Sequence, residues 1–312
     1  MASEPMHPKI PIRLLAVATF IASWLLLLGS SMPAHAAGTC QGRAATIEGS
    51  GDLTGTSGDD VILAIGAATV RGNGGTDLVC HTGSQVFVFG ERISVLSQAP
   101  AGTGGTVYLS ATSYASYVGT PATETVYIWR SSPTAFDVDL TSGGNDTAVV
   151  VADVNPTAVS TGSVRFGPGA TELIAVGFEN TDVDLANGTL SIDGAVTATV
   201  SGTSNVYALG KRVSLRGDSG ANRLRVRGCD AVVKGGKGPD VLAKGPYDDG
   251  LDPGTRCAGE GGGYTLKGGD GNDTLSGTVG NDRLLGGPGR DTANGRGGHD
   301  RCRTEVVRHC GR

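Results

Sequence analysis

A nine-residue unit recurs four times without a gap near the end of this 312-residue chain, between Gly268 and Arg303. The four copies read GGDGNDTLS, GTVGNDRLL, GGPGRDTAN and GRGGHDRCR. Each copy has glycine at positions 1 and 4 and an aspartate at position 6; these aspartates are Asp273, Asp282, Asp291 and Asp300. Because glycine costs a helix roughly 1 kcal/mol per residue, the unit predicts a tight turn followed by a short strand.

The nine-residue period also predicts which aspartates become neighbours. Two units make an 18-residue coil, and stacked coils place residue i beside residue i+18, so that Asp273 meets Asp291 on one edge. Asp282 then meets Asp300 on the other edge. Such rows of carboxylates repel one another unless a cation separates them, and calcium accepts about six to eight oxygens at ~2.3–2.6 Å. Glycine at positions 1 and 4 is expected to supply left-handed backbone angles for the turns.

The four copies closely resemble the GGxGxDxUx nonapeptide of the RTX, or haemolysin-type calcium-binding, repeat family, which forms a parallel β-roll. The resemblance implies that the four aspartates are calcium ligands. It is imperfect at the apolar position 8, which reads Leu275, Leu284, Ala293 and Cys302, so the last two turns are expected to have a weaker core. A glycine-rich solenoid without metal is the alternative interpretation.

Degenerate copies occur elsewhere in the chain. Near the N-terminus, GTSGDDVI and GNGGTDLV place Asp60 and Asp77 at position 6. Their spacing of 17 leaves two interpretations open: a calcium ion shared between them, or a simple cap on the solenoid. Further along, GGKGPDVL supplies Asp240, whereas GDSGANRL has Asn222 and GEGGGYTLK has Tyr264 where aspartate belongs.

Between Val86 and Leu215 the sequence consists of short β-rich runs separated by Gly, Asn, Asp, Ser and Thr. We therefore expect an all-β chain, a right-handed parallel β-solenoid with a C-terminal calcium β-roll. A central antiparallel β-sandwich between the repeat regions is the alternative. The expected organisation is a signal peptide (1–36), a degenerate N-terminal repeat cap (37–85), a β-rich solenoid region (86–216), and RTX-like calcium-binding repeats with a C-terminal cap (217–312).

The N-terminal segment has the features of a secretory signal. Lys9 and Arg13 precede the apolar run 14–28, and a small-x-small site predicts cleavage after Ala36. The run is shorter than the ~20 residues that span a bilayer, so a membrane anchor is the less favoured interpretation. We expect a secreted protein with no transmembrane segment after cleavage.

An even number of cysteines follows that site, which in an exported chain indicates disulfides. Six cysteines allow 15 pairings, and their distribution favours three local bridges, Cys40–Cys80, Cys229–Cys257 and Cys302–Cys310. A zinc site is the alternative, but no CxxC or His-x3-His spacing supports it.

Composition and motifs favour a binding role over catalysis. A net charge of −5 does not indicate the basic surface that binds nucleic acid. Neither GxSxG nor HExxH is present, so no catalytic residue is assigned. We expect a secreted calcium-binding repeat protein with a structural or adhesive role, and with calcium ions and extracellular or cell-surface glycans as partners.

The alternative is an extracellular β-helix enzyme or binding module that acts on polysaccharide. Trp129 with Tyr127 would then form a sugar-stacking platform. The residues that would line its groove are Lys211, Arg212, Arg216, Arg223, Arg225 and Arg227.

Overall fold

The computed structural model describes residues 38–100, 103–129, 135–152, 159–246 and 263–311. Within these ranges the chain forms 26 strands and no helix. The same ranges accordingly hold no helix long and apolar enough to cross a membrane. The predicted signal peptide, 1–36, lies outside them.

The strands are short and follow one another closely, as expected where turn residues separate apolar runs. The first twelve are β1 (Thr39–Cys40), β2 (Arg43–Ala44), β3 (Ile47–Thr54), β4 (Val61–Arg71), β5 (Thr76–His81), β6 (Gln85–Ser97), β7 (Gly105–Val118), β8 (Glu124–Trp129), β9 (Ala135–Leu140), β10 (Thr147–Val151), β11 (Ser160–Phe166) and β12 (Glu172–Val176). The next seven are β13 (Asn180–Asp184), β14 (Thr189–Ile192), β15 (Val196–Ser201), β16 (Asn205–Leu209), β17 (Arg212–Arg216), β18 (Arg223–Arg227) and β19 (Asp230–Lys237). The last seven are β20 (Val241–Lys244), β21 (Tyr264–Asp270), β22 (Thr274–Ser276), β23 (Arg283–Leu285), β24 (Thr292–Asn294), β25 (Arg301–Arg303) and β26 (Val306–Arg308).

Twenty-four of these strands, β3 to β26, belong to one hydrogen-bonded sheet that is mostly parallel. From β16 onward each strand pairs in parallel with the strand two further along the chain, which produces two ladders. In the array of nonapeptides the paired residues are 18 apart: Thr274 lies opposite Thr292, and Arg283 lies opposite Arg301. This is the register that the nine-residue period predicts.

The central strands are also mainly parallel. β7 pairs in parallel with β6, β8 and β9, and β10 pairs in parallel with β8 and β12. The exception in this region is the antiparallel run β13–β14–β15. The described central residues therefore do not form the antiparallel sandwich that the sequence left open.

A continuous apolar core runs through the sheet and consists mainly of valine, leucine and isoleucine. In the array it is built from position 8, where Leu275, Leu284 and Ala293 are buried and Cys302 is only partly buried. A buried leucine side chain contributes about 1.5–3 kcal/mol, and alanine much less, so the last turns depend more on other interactions.

Two predicted disulfides are present. Cys40–Cys80 links β1 to β5, and Cys302–Cys310 links β25 to the C-terminal residues. Cys229 is also disulfide-bonded, while Cys257, its predicted partner, lies outside the described residues. Each of the two described bridges is local, as the distribution of cysteines indicates.

Candidate metal centre

The seven position-6 aspartates named from the sequence are all buried, and the most exposed of them, Asp300, shows 7% of its surface. Six of them immediately precede a strand, whereas Asp77 is the second residue of β5. A carboxylate at such a position is held by backbone amides at the edge where strands begin. The burial of so many acids requires compensation, because unpaired buried charges are strongly disfavoured.

Three of these aspartates lie in a hydrogen-bonded row that we call column A, which consists of Asn222, Asp240, Asp273, Asp291 and Glu305. The Oδ1 atoms of Asp240, Asp273 and Asp291 accept hydrogen bonds of 2.8–2.9 Å from the amides of Asn222, Asp240 and Asp273, respectively. The Asp291 amide in turn donates to Glu305 Oε2 at 2.8 Å. Glu305 thus completes the row beyond the last aspartate, a role that the sequence interpretation did not assign.

A second row, column B, consists of Tyr264, Asp282 and Asp300. The Tyr264 amide donates to Asp282 Oδ1 at 2.7 Å, and the Asp282 amide donates to Asp300 Oδ1 at 2.9 Å. Each bond joins residues 18 apart. The two expected pairings, Asp273 with Asp291 and Asp282 with Asp300, are therefore both present, in separate columns.

Asp60 and Asp77 form a third, N-terminal pair. The Asp60 amide donates to Asp77 Oδ1 at 3.1 Å, because β4 and β5 pair with Val61 opposite Leu78. The spacing of 17 therefore does not separate them. Asp60 Oδ2 accepts a 2.6 Å hydrogen bond from the Thr56 amide in its own turn.

The second carboxylate oxygen of most of these aspartates is buried and has no hydrogen-bond partner. These atoms are Oδ2 of Asp77, Asp240, Asp273, Asp291 and Asp300. A buried polar atom without a partner costs about 1–3 kcal/mol, and more when it is charged. Such a series of orphaned carboxylate oxygens is the strongest indication that these turns hold a cation.

The glycines explain how the carboxylates fit. A Cβ added to Gly268, Gly286 or Gly295, each at position 1, would overlap Oδ2 of the aspartate five residues later. The position-1 glycines of the array do not have positive φ, so the expectation of left-handed angles there was wrong; the position needs glycine for space.

At position 4 the expectation of left-handed angles is confirmed for three of the four copies. Gly271, Gly289 and Gly298 have φ of 141°, 145° and 98°, whereas Gly280 is not among the glycines with positive φ. At position 4 the glycine therefore serves the backbone conformation of the turn, in contrast to position 1.

The electrostatics of the turns agree with this geometry. The pKa of Asp240 is raised to about 6, mainly by burial and in smaller part by the nearby Asp273 carboxylate, while the hydrogen bond from the Asn222 backbone amide lowers it. Burial likewise raises the pKa of Asp77 to about 6, and burial raises the pKa of Asp273 and Asp282. The turns therefore disfavour bare carboxylates, and a bound cation would relieve that cost.

The available donors fit calcium only if the backbone contributes. Among the described residues, no three His, Cys, Asp or Glu side chains come together as a metal-binding group. The remaining oxygens must therefore come from the carbonyls of the turns, which stack closely: a Cβ on Gly289 would overlap the Gly271 carbonyl, and one on Gly271 would overlap that of Gly238. Calcium accepts carboxylate and carbonyl oxygens together, so the donor set fits this ion.

Residues 267–302 match the family model of the RTX calcium-binding nonapeptide repeat, in four copies. This segment contains Asp273, Asp282, Asp291 and Asp300, and calcium binding is the property of these repeats. The match covers the array and not the strands before it. No curated protein matches the chain.

Two buried acids outside the array were missed by the sequence interpretation. Glu124 and Asp146 are both buried, and the Glu124 amide donates to Asp146 Oδ1 at 2.9 Å, the same bond that builds columns A and B. Their turns read GTPATE and TSGGND. The second ends in Gly-Asn-Asp like two copies of the array, and this was the signal that could have identified it.

The basic residues considered for a polysaccharide groove do not form one row. Lys211, Arg212 and Arg216 lie in or just before β17, which pairs with β13 and β19. The other three lie in β18, which pairs with β16 and β20. The two groups are therefore in different ladders.

Several of these cations are also engaged by acids. Lys211 pairs with Glu179, and Arg225 pairs with Glu172. Arg216 approaches Asp184 at 3.5 Å. Three of the six cations are therefore paired with acids of the protein itself.

The aromatic residues form a stacked row on one face of the sheet. Tyr127 stacks on Tyr108 with ring centroids 4.6 Å apart, and Tyr108 stacks on Phe87 at 4.3 Å. Trp129, on the same face of β8 as Tyr127, is 45% exposed. The rings of the row face one another, so Trp129 is the more accessible surface for a sugar.

Proposed function

We propose that this chain is a secreted calcium-binding protein whose role is structural or adhesive, and that it folds as a right-handed parallel β-solenoid. Its parallel ladders and its stacked glycine turns support the solenoid. The observation that carries the calcium assignment is the series of buried Oδ2 atoms without partners in columns A and B and at Asp77. Calcium ions in the turns would neutralise these carboxylates.

The proposed ligands are Asp60, Asp77, Asp240, Asp273, Asp282, Asp291 and Asp300. Each would contribute a carboxylate oxygen, while its Oδ1 atom or its backbone amide forms the hydrogen bond to the neighbouring turn. Backbone carbonyls of the turns would complete the coordination, because too few carboxylates of the described residues converge to do so alone. Calcium would thereby link stacked turns. The stability of the folded solenoid would then depend on the extracellular calcium concentration.

The calcium dependence is tested on the full chain by thermal unfolding in EDTA and in calcium at ~5 mM, above the ~0.1–1 mM range of extracellular modules. We expect the melting temperature to rise in calcium. Magnesium at the same concentration is the control, and it should have a much smaller effect, since it demands octahedral geometry and retains water. Equal melting temperatures in EDTA and in calcium would contradict the proposal.

Export rests on the N-terminal sequence and on the disulfides, which persist in oxidising compartments. Expression of the full chain in a secreting host, followed by N-terminal sequencing of the product, tests it. We expect a product in the medium that begins at Ala37. A product that retains the segment 1–36 would contradict cleavage after Ala36.

An adhesive role is favoured by the exposed aromatics Trp129 and Phe89, which show 45% and 40% of their surfaces. A glycan array probed with wild type and with Trp129→Ala tests this role. Loss of a glycan signal in Trp129→Ala, but not in Val118→Ala at another exposed apolar side chain, would support it. Absence of any glycan signal for the wild type would leave the structural role as the function.

A further inference from the structure

The turns 119–124 and 141–146 lie outside the segment that matches the calcium-binding repeats. The first turn ends at Glu124, the first residue of β8, and the second turn ends immediately before β10. These two strands are parallel neighbours, with Thr125 opposite Thr147. This register places Glu124 directly beside Asp146. We refer to these two residues as the central acid pair.

The first of these turns has the same internal bonds as a turn of the array. In GTPATE, the Thr120 amide donates to Glu124 Oε2 at 3.1 Å, and the Thr120 hydroxyl donates to Oε1 at 3.0 Å. In GTVGND, the Thr278 amide donates to Asp282 Oδ2 at 2.5 Å, and the Thr278 hydroxyl also contacts that carboxylate. A glutamate therefore takes the place of the position-6 aspartate in the central turn.

The second turn, TSGGND, stacks on the first as array turns stack on each other. A Cβ on Gly144 would overlap the carbonyl of Ala122, just as one on Gly289 would overlap the carbonyl of Gly271. All four residues occupy position 4 of their turns. The backbone carbonyl of one turn thus lies against the glycine of the next in the same way as in the array.

Asn145 adds a further correspondence at position 5. Its Oδ1 accepts a 2.9 Å hydrogen bond from the Ala170 amide. Asn272 Oδ1 accepts a 2.9 Å hydrogen bond from the Arg290 amide in the array. Both asparagines thus accept a hydrogen bond, through the same atom, from the turn stacked on their own.

The central acid pair carries charge that the described protein does not neutralise. Asp146 is fully buried and its Oδ2 atom has no hydrogen-bond partner, while Glu124 is 1% exposed. None of the ion pairs formed by the described residues includes either acid. Two adjacent carboxylates in this environment require a cation or a proton.

We propose that Glu124 and Asp146 bind a further calcium ion, in the middle of the chain and outside the four matched repeats. Asp146 Oδ2 and the Glu124 carboxylate would be its charged ligands, with carbonyls of the two turns as further donors. The central strands, and not only the C-terminal array, would then be stabilised by calcium. This site is distinct from the seven aspartates of the proposed function.

Calcium per chain, counted by native mass spectrometry on the full chain, tests this site. We expect Asp146→Asn to bind one ion fewer than wild type. Asp182→Asn, which removes an exposed acid on β13, should bind the wild-type number. A folded Asp146→Asn chain that binds the wild-type number would overturn the proposal.

A second variant, Asp291→Asn, distinguishes loss of the central ion from loss of the ions in the array. Loss of ions in Asp291→Asn together with an unchanged count in Asp146→Asn would leave the array intact as a calcium site and refute the central one. A wild-type chain without calcium would refute both.

Hydrogen–deuterium exchange on the wild-type chain covers the case in which the variant does not fold. Calcium should slow the exchange of amides in 119–124 and 141–146 more than in 167–171, a neighbouring turn whose sequence, GPGAT, has no acid. Equal slowing in all three segments, or no slowing, would contradict a central ion.

Discussion

The Oδ1 atom of Asp291 accepts a 2.9 Å hydrogen bond from the backbone amide of Asp273, 18 residues earlier. One carboxylate oxygen is thus committed to the packing of consecutive turns, while the other is buried without a partner. An Asp→Asn change retains the first interaction and removes the charge from the second. It therefore separates the structural role of these residues from their proposed role as ligands.

Gly286→Ala should destabilise the array, because its Cβ would overlap Asp291 Oδ2. Overpacking of this kind costs about 1–3 kcal/mol, and displacement of the carboxylate should also weaken calcium binding. The matched control is Gly297→Ala in the same array, where the nearest atoms lie at 3.6 Å and φ is not positive. Denaturant unfolding in calcium measures both variants, and equal stabilities for the two would contradict the steric account.

Asn222→Asp should have opposite effects with and without calcium. Asn222 occupies the position before Asp240 in column A, and its amide donates to Asp240 Oδ1 at 2.8 Å. An added carboxylate there would repel Asp240 in EDTA and lower the free energy of unfolding. In calcium, a charged carboxylate oxygen would replace the neutral amide oxygen as a ligand. The calcium concentration at half-saturation should therefore fall. A midpoint that stays the same or rises would show that this column does not bind the ion.

His81 should make the protein less stable as the pH falls below neutrality. The side chain is fully buried, and this burial lowers its pKa from 6.5 to about 4. Because the unfolded chain binds the proton more readily, stability is present above pH 6.5 and is lost as the pH falls towards 4. The full effect is on the order of 3 kcal/mol, at about 1.4 kcal/mol per pH unit.

His81→Gln isolates this effect, since glutamine can still reach the Tyr117 hydroxyl, now 3.4 Å from His81 Nε2. The difference between the free energies of unfolding at pH 7 and pH 5, both at saturating calcium, should be smaller in His81→Gln than in wild type. The exposed His299 provides the control variant, His299→Gln, which should retain the wild-type difference. The same pH dependence in all three proteins would contradict a buried neutral histidine.

The sequence predicted the array well because its period is constant. Four copies of one length place Asp273 beside Asp291 whatever the side chains between them are, and the strand register agrees. The same reasoning failed where the chain between two turns has another length. Asp240 and Asp273 are neighbours although they are 33 residues apart, and Glu124 and Asp146 are 22 apart. A search at multiples of nine therefore does not pair them.

The antiparallel excursion β13–β14–β15 was missed although its turns have recognisable residues. Asn187-Gly188 and Asp193-Gly194 separate its strands, and Asp193 and Gly194 have φ of 53° and 65°. Such Asn-Gly and Asp-Gly pairs are the usual signal for a hairpin. The position-1 glycines could not be explained from sequence, because the close approach of Gly268 to the Asp273 carboxylate appears only when the turn is folded.

Calorimetric titration of the EDTA-treated full chain with calcium tests the central claim most directly. The account predicts several ions per chain with dissociation constants on the order of 0.1–1 mM, and fewer ions in Asp273→Asn, whose Oδ1 hydrogen bond is retained. Asp182→Asn, at an exposed position, should match wild type. A wild-type chain that binds no calcium at ~10 mM, or an Asp273→Asn chain that binds as many ions as wild type, would contradict it.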